Sequence, residues 1–239
     1  MKITKDQLLV NGKRNDGRSP DDLRSFKVTA GVLKKAKGSA MVEWGKNKVL
    51  VGIYGPGEVF PKHLTNYTKA LVNVRYSMAP FCGAEEHGRS GPNRRAIEIG
   101  KVAKHVFENI ILTRDFPRTQ IDIYIEILQS DGGTRVAGIT AASVALADAG
   151  IPCKDLVQGV SAGKVNDTVL VDLDKWEDNL GEGDCPVVVS LRSNEILLFQ
   201  LDEVWTKQQV LQGFEKIFNA AKVLRQVQEE SLKENYKEG

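Results

Sequence analysis

The chain has 239 residues, 41% of them hydrophobic, and its 33 lysines and arginines nearly balance 31 aspartates and glutamates to leave a net charge of +2. That length and apolar content can fill an ordinary core, while the charge balance excludes a protein that holds nucleic acid by bulk positive charge. No apolar run approaches the roughly 20 residues of a membrane span, the first residues lack a signal-peptide stretch, and Cys82, Cys153 and Cys185 are too scattered for a disulfide framework or thiolate zinc site, so the expectations are a cytoplasmic location, reduced cysteines and no membrane partner.

In chain order, strands are predicted at Phe26 to Leu33, Ser39 to Trp44, Lys48 to Tyr54 and Ala70 to Met78, with Gly45-Lys46-Asn47 as a hairpin connection. Asn93 offers an N-cap, and Ala96, Ile99, Val102, Ala103, Val106, Phe107 and Ile110 recur at helical spacing, which predicts a helix from about Arg94 to Ile111. Between Gln120 and Gln129 the residues Ile121, Ile123, Ile125 and Ile127 alternate with others, a strand pattern that runs straight into Asp131-Gly132-Gly133-Thr134-Arg135. The helix after that turn is small-sided, with Ala137, Gly138, Ala141, Ala142, Ala145 and Ala149, so it is expected to be central and buried; Gly150 and Pro152 end it. Strands follow at about Leu156 to Lys164, Thr168 to Leu173, Pro186 to Leu191 and Glu195 to Leu201, and a Thr206/Gln209 capping box opens a last helix at about 206–235. With no repeat and no low-complexity linker, the reading is one α+β domain over 1–239, helices packed on mainly antiparallel or mixed sheets.

Three stretches hold chemistry. A glycine turn opening a helix presents unpaired backbone N–H groups and the positive end of the helix dipole, and Gly133, Thr134 and Arg135 add a guanidinium, a combination suited to an anion; the plain alternative is a strand-to-helix turn with a solvated arginine. Arg94 and Arg95 sit in a helix's first turn against the dipole, which an anionic ligand offsets, or else a surface pair with Glu98. From Asp172 to Asp184 there are six carboxylates and one lysine; most such loops are solvated, but Asp184 stands at the threshold of a strand, and Asp178 with Asp184 could share Mg²⁺ or Mn²⁺. From His87 to Arg118 seven cations face three anions, and if the two blocks meet they gather a polyanion and a divalent cation. Lys62-His63 is a loop after a strand, either solvated or touching a polyanion, and Tyr76 either packs or stacks on a base.

Taken in order, these blocks resemble the RNase PH family, in the branch of the catalytic subunit of the archaeal exosome. The resemblance rests on Asp16-Gly17-Arg18, Gly38-Ser39-Ala40, Tyr54-Gly55-Pro56, Arg75 through Phe81, Arg94-Arg95-Ala96-Ile97-Glu98, Phe116-Pro117-Arg118-Thr119, Gly133 through Ser143, Ala147 through Pro152, Glu177-Asp178-Asn179 and Gly181-Glu182-Gly183-Asp184. It implies a ribosomal-protein-S5-domain-2-like fold in a six-membered ring, where phosphate attacks the 3′-terminal linkage of RNA and releases nucleoside diphosphates. It implies inorganic phosphate at Gly133, Thr134 and Arg135, terminal RNA phosphates on Arg94 and Arg95, Asp184 as general acid or metal ligand, Asp178 assisting at the metal, and Lys62, His63 and Arg89 along the RNA path. Partners implied are RNA, a related non-catalytic subunit and RNA-binding cap proteins. Gly57 departs from the basic residue expected after Gly-Pro, which implies a weaker grip on RNA at the entrance. The alternatives are a homohexameric tRNA-trimming RNase PH and a non-catalytic RNA-binding ring subunit; retention of Arg135, Asp178 and Asp184 speaks against the second.

Overall fold

The computed structural model describes residues 4–83 and 94–237. A five-stranded mixed sheet is built from β3 (Phe26–Ala30), β4 (Gly38–Trp44), β5 (Asn47–Glu58), β6 (Leu71–Met78) and β7 (Thr119–Gln129), in the order β3-β4-β5-β7-β6. Only β6 and β7 run parallel within it. A four-stranded antiparallel sheet takes β8 (Val157–Val165), β9 (Thr168–Val171), β10 (Asp184–Ser190) and β11 (Glu195–Phe199), in the order β11-β10-β8-β9. The α+β, mixed-sheet reading holds.

Helix α2 (Thr134–Asp148) lies between these sheets, touching β4 and β5 on one side and β8 on the other. Its lack of an amphipathic stripe is explained by this position: every residue from Val136 to Leu146 is buried, and small side chains let both sheets approach. Gly159 of β8 shows how close, since a Cβ there would sit 2.8 Å from the Val136 backbone oxygen. Ile121, Ile123, Ile125 and Ile127 of β7 are fully buried beneath the helix in a hydrophobic core that runs through both sheets. Helix α1 (Arg94–Ile110) covers β6, and α4 (Lys207–Lys237) lies across β8, β9 and β3, opened by the expected Thr206/Gln209 box (Gln209 N–H to Thr206 Oγ1, 3.2 Å).

Two parts of the architecture differ from expectation. A two-residue-per-strand hairpin, β1 (Leu9–Val10) with β2 (Lys13–Arg14), precedes the first predicted strand and is too short to show periodicity. The acidic stretch is not a plain loop, because it contains α3 (Lys175–Leu180), capped by Asp174, whose carboxylate accepts from the N–H groups of Trp176 (2.8 Å) and Glu177 (2.9 Å). The Asp174-x-x-Glu177 spacing is a capping box, so the signal for this helix was present in the sequence. The three cysteines are free, as expected, and burial pushes the Cys153 and Cys185 thiols up to about 12.

Candidate active site

Strand β7 delivers its turn to the start of α2 with Gly132 at φ +73° and Gly133 at φ +68°. Gly133 is the N-cap, and no side chain caps the helix, so the N–H groups of its first turn are available to a ligand. The turn is pinned from outside. Asn47, fully buried at the start of β5, accepts from the Asp131 N–H at 2.6 Å and donates to the Gly132 carbonyl at 2.6 Å. Arg24 donates to the Asp131 carbonyl and, at 2.6 Å, to Asp172 Oδ1. A Cβ on Gly132 would lie 2.5 Å from the Asp174 carbonyl carbon, so the glycine lets the turn abut the backbone that leads into α3.

That abutment brings the carboxylates into range. Asp178 is on α3, and its helix is anchored one residue earlier by Glu177, whose buried carboxylate both closes the capping box and meets Arg14. Asp184 is the first residue of β10, paired with Gly163 of β8. Burial pushes the Asp178 carboxyl above the usual range and the neighbouring Asp184 charge pushes it further, against the opposing pull of Arg95, Arg135 and Arg24. Asp184 is also raised, first by burial; Asp202 adds to the rise, while Arg135 and Arg95 work against it.

Arg95, Gly133, Thr134, Arg135, Asp178 and Asp184 line one cleft, together with Val136, Ser161 and Pro186. One cation of the basic block, Arg95, and two carboxylates of the acidic block, Asp178 and Asp184, therefore meet in this cleft. Arg94 begins α1 exposed and is not among the residues lining the cleft. Lys62 and His63 sit on an exposed short turn (Lys62–Leu64) and do not line it either, and Arg89 lies outside the described residues. Glu98, the alternative partner for the two arginines, is instead approached by Gln200 Nε2 at 3.5 Å. Tyr76 is not a base-stacking residue: it is 3% exposed, and its O–H donates to Thr134 Oγ1 at 2.9 Å, fixing the first helical residue from beneath.

Four positioning residues escaped the sequence reading. Arg14 and Arg24 act across more than a hundred residues of chain, Asn47 reads as an ordinary hairpin residue, and Gln200, which accepts from Arg135 Nη1 at 2.5 Å, follows the last residue of edge strand β11. Local pattern carries none of these partnerships. Among the described residues no group of three or more His, Cys, Asp or Glu side chains could hold a metal ion, and the cleft is lined by two carboxylates, Asp178 and Asp184. Two hard carboxylates fit Mg²⁺ or Mn²⁺, which keep several waters and share their sites with substrate phosphates.

Family models of the 3′ exoribonuclease family (RNase PH) match in two parts, domain 1 over residues 22–152 and domain 2 over residues 155–216. Exosome complex component Rrp41 of Thermococcus kodakarensis is 54% identical over 226 residues, 95% of this chain and 90% of that protein. The Rrp41 proteins of Pyrococcus furiosus (51% over 226 residues, 95% and 90%) and Thermoplasma acidophilum (48% over 224 residues, 94% and 90%) are similar over the same span. The crystal structure of rice (Oryza sativa) Rrp46 superposes with a TM-score of 0.83 at 26% identity, covering 92% of this chain and all of that one (100%). A chain of the Archaeoglobus fulgidus exosome with RNA bound to the active site shares the fold, with a TM-score of 0.79 at 22% identity, covering 90% and 92%.

Proposed function

Because this chain belongs to the 3′ exoribonuclease (RNase PH) family, matched across both family domains, we propose that it removes nucleotides from RNA 3′ ends by phosphorolysis, as the catalytic subunit of an exosome-type hexameric ring. The observation that carries this reading is the convergence of Arg135, the uncapped α2 start and Asp184 in one cleft. Phosphoryl transfer needs positioning and charge neutralisation rather than a covalent protein nucleophile, and this cleft offers that and no more.

Inorganic phosphate sits on the first-turn N–H groups of α2, held by Gly133, Thr134 and Arg135, with Gln200 orienting the arginine. Arg95 holds the phosphate of the RNA terminus against it, with Arg94, Lys62 and His63 along the approach of the strand. A phosphate oxygen attacks the phosphorus of the terminal linkage, the bond to the 3′ oxygen of the preceding nucleotide breaks, and a nucleoside diphosphate leaves. Asp184 has one of two roles here: protonated, with its carboxyl raised by burial, it gives its proton to that 3′ oxygen; ionised, it would hold Mg²⁺ or Mn²⁺ together with Asp178, and the metal would neutralise charge on the phosphates.

The Rrp41 relatives are exosome components, which supports a related non-catalytic subunit and RNA-binding cap proteins as partners. Large apolar side chains left on the surface, Phe60 and Val204 each 82% exposed and Phe81 74%, give such partners something to cover. No helix among the described residues is long and apolar enough to cross a membrane, and a cytoplasmic site of action accords with RNA as substrate. The test supplies the chain, alone and with its ring partner, with oligoadenylate, divalent metal and either phosphate or none. Nucleoside diphosphates appearing only with phosphate support the reading; monophosphates formed without phosphate overturn it.

A further inference from the structure

Ser161 is 4% exposed and lines the cleft, yet its hydroxyl has no hydrogen-bond partner. A buried polar group without a partner is costly, so its presence at a ligand-facing position calls for an account. The described residues include three other buried side-chain atoms without a hydrogen-bond partner, on Asn15, Arg18 and Gln158, and none of those residues lines the cleft.

The register of β8 and β10 fixes where the hydroxyl stands. Ser161 pairs with Pro186 and Gly163 pairs with Asp184, so alternation puts Ser161 on the same face of the sheet as Asp184. That face is the one pressed against the start of α2, because Gly159, two residues earlier, is closed over by Val136. A Cβ built on Gly133 would lie 3.6 Å from Ser161 Oγ. The hydroxyl thus lines the cleft beside the helix N-cap, on the sheet face that Asp184 shares.

We propose that Ser161 is a phosphate-binding residue, its O–H donating to an oxygen of inorganic phosphate seated at Gly133 and Arg135. The inference rests on the phosphorolytic reading of the cleft. It adds a neutral donor from the second sheet to the backbone amides and guanidinium supplied by the first turn of α2, so the oxyanion is gripped from both sides.

The experiment compares the full chain and its Ser161→Ala variant, each in the assembly that degrades RNA, reading KM for inorganic phosphate and KM for oligoadenylate separately. The expected result is a rise in phosphate KM of about tenfold, the size of one lost hydrogen bond to a charged group, with RNA KM unchanged. The melting temperature stays level, because the hydroxyl leaves no protein partner behind. An unchanged phosphate KM, a rise confined to RNA, or a fall in melting temperature each overturns the assignment. Loss of the phosphate requirement in the unaltered enzyme would instead overturn the reading of the whole site, and that arm is read without the variant.

Discussion

Arg14 grips both carboxylate oxygens of Glu177, Nε to Oε1 at 2.7 Å and Nη2 to Oε2 at 2.5 Å, across 163 residues of sequence and with both side chains wholly buried. The same guanidinium donates to the Val171 and Asp172 carbonyls, both at 2.7 Å. Glu177 is the residue before Asp178, so an N-terminal hairpin sets the attitude of the helix that bears one of the two cleft carboxylates.

Replacing Arg14 with Ala takes away the bidentate partner of the buried Glu177 carboxylate and leaves it only the Asp174 N–H at 2.9 Å and Arg18 Nη2 at 3.9 Å. The expected loss is about 3–5 kcal/mol of stability, which for a chain of this size lowers Tm by roughly 10 °C or more. Calorimetry checks this, and a variant that melts with the parent protein would show that the pair contributes nothing.

Asp184→Asn is expected to abolish phosphate-dependent diphosphate release while leaving the fold intact, with Tm raised by about 1–4 °C at neutral pH. The sign follows from the raised carboxyl: its folded pKa lies above the unfolded one, so the stability it contributes is present at acid pH and is lost as pH rises through the folded pKa. The Tm advantage of the variant therefore grows from acid to neutral pH. Asp172 behaves oppositely. Although burial opposes it, the Arg24 guanidinium holds that carboxyl below the usual range, so its contribution is present above the unfolded value of about 3.9 and is lost as pH falls further.

Asp202 raises the Asp184 carboxyl from a short distance along the chain. In Asp202→Asn the limb of the pH profile of kcat/KM that reports Asp184 should move to lower pH, modestly because Asp202 is exposed. A limb that stays in place, or moves to higher pH, contradicts the assignment of that limb to Asp184.

Asn47→Ala removes the side chain that holds both Asp131 and Gly132 and leaves their polar groups short of partners in a mostly enclosed place. A stability loss of about 1–3 kcal/mol is expected, together with a higher KM for phosphate. Because Asn47 does not line the cleft, kcat at saturating phosphate should largely recover. Urea titration and steady-state kinetics separate the two effects.

Much of this cleft was legible in sequence because the groups that line it sit where local pattern is strongest. The alternating isoleucines of β7 announce a strand, the paired glycines announce the turn, and the run of small residues announces a helix squeezed between layers. What periodicity could not supply was the set of partners that hold those pieces still. Arg24 ahead of β3, Asn47 at the hairpin into β5 and Tyr76 on β6 look like ordinary residues until the strands are paired and the turn lands on them. Tyr76 was open to two readings for the same reason, since only the sheet decides which face it takes. The short α3 was different: its Asp174/Glu177 box was visible and was masked by the density of charge around it.

The burial of α2 on both sides bears on how the two family regions, residues 22–152 and 155–216, depend on one another. The helix belongs by sequence to the first, yet one flank is closed by β8 of the second. Severing the chain between them would strand an apolar helix in water and part the amide donors from Asp184. Neither fragment is therefore expected to bind or cleave anything alone, and a chain split near Cys153 would need its halves to reassociate before any turnover resumed.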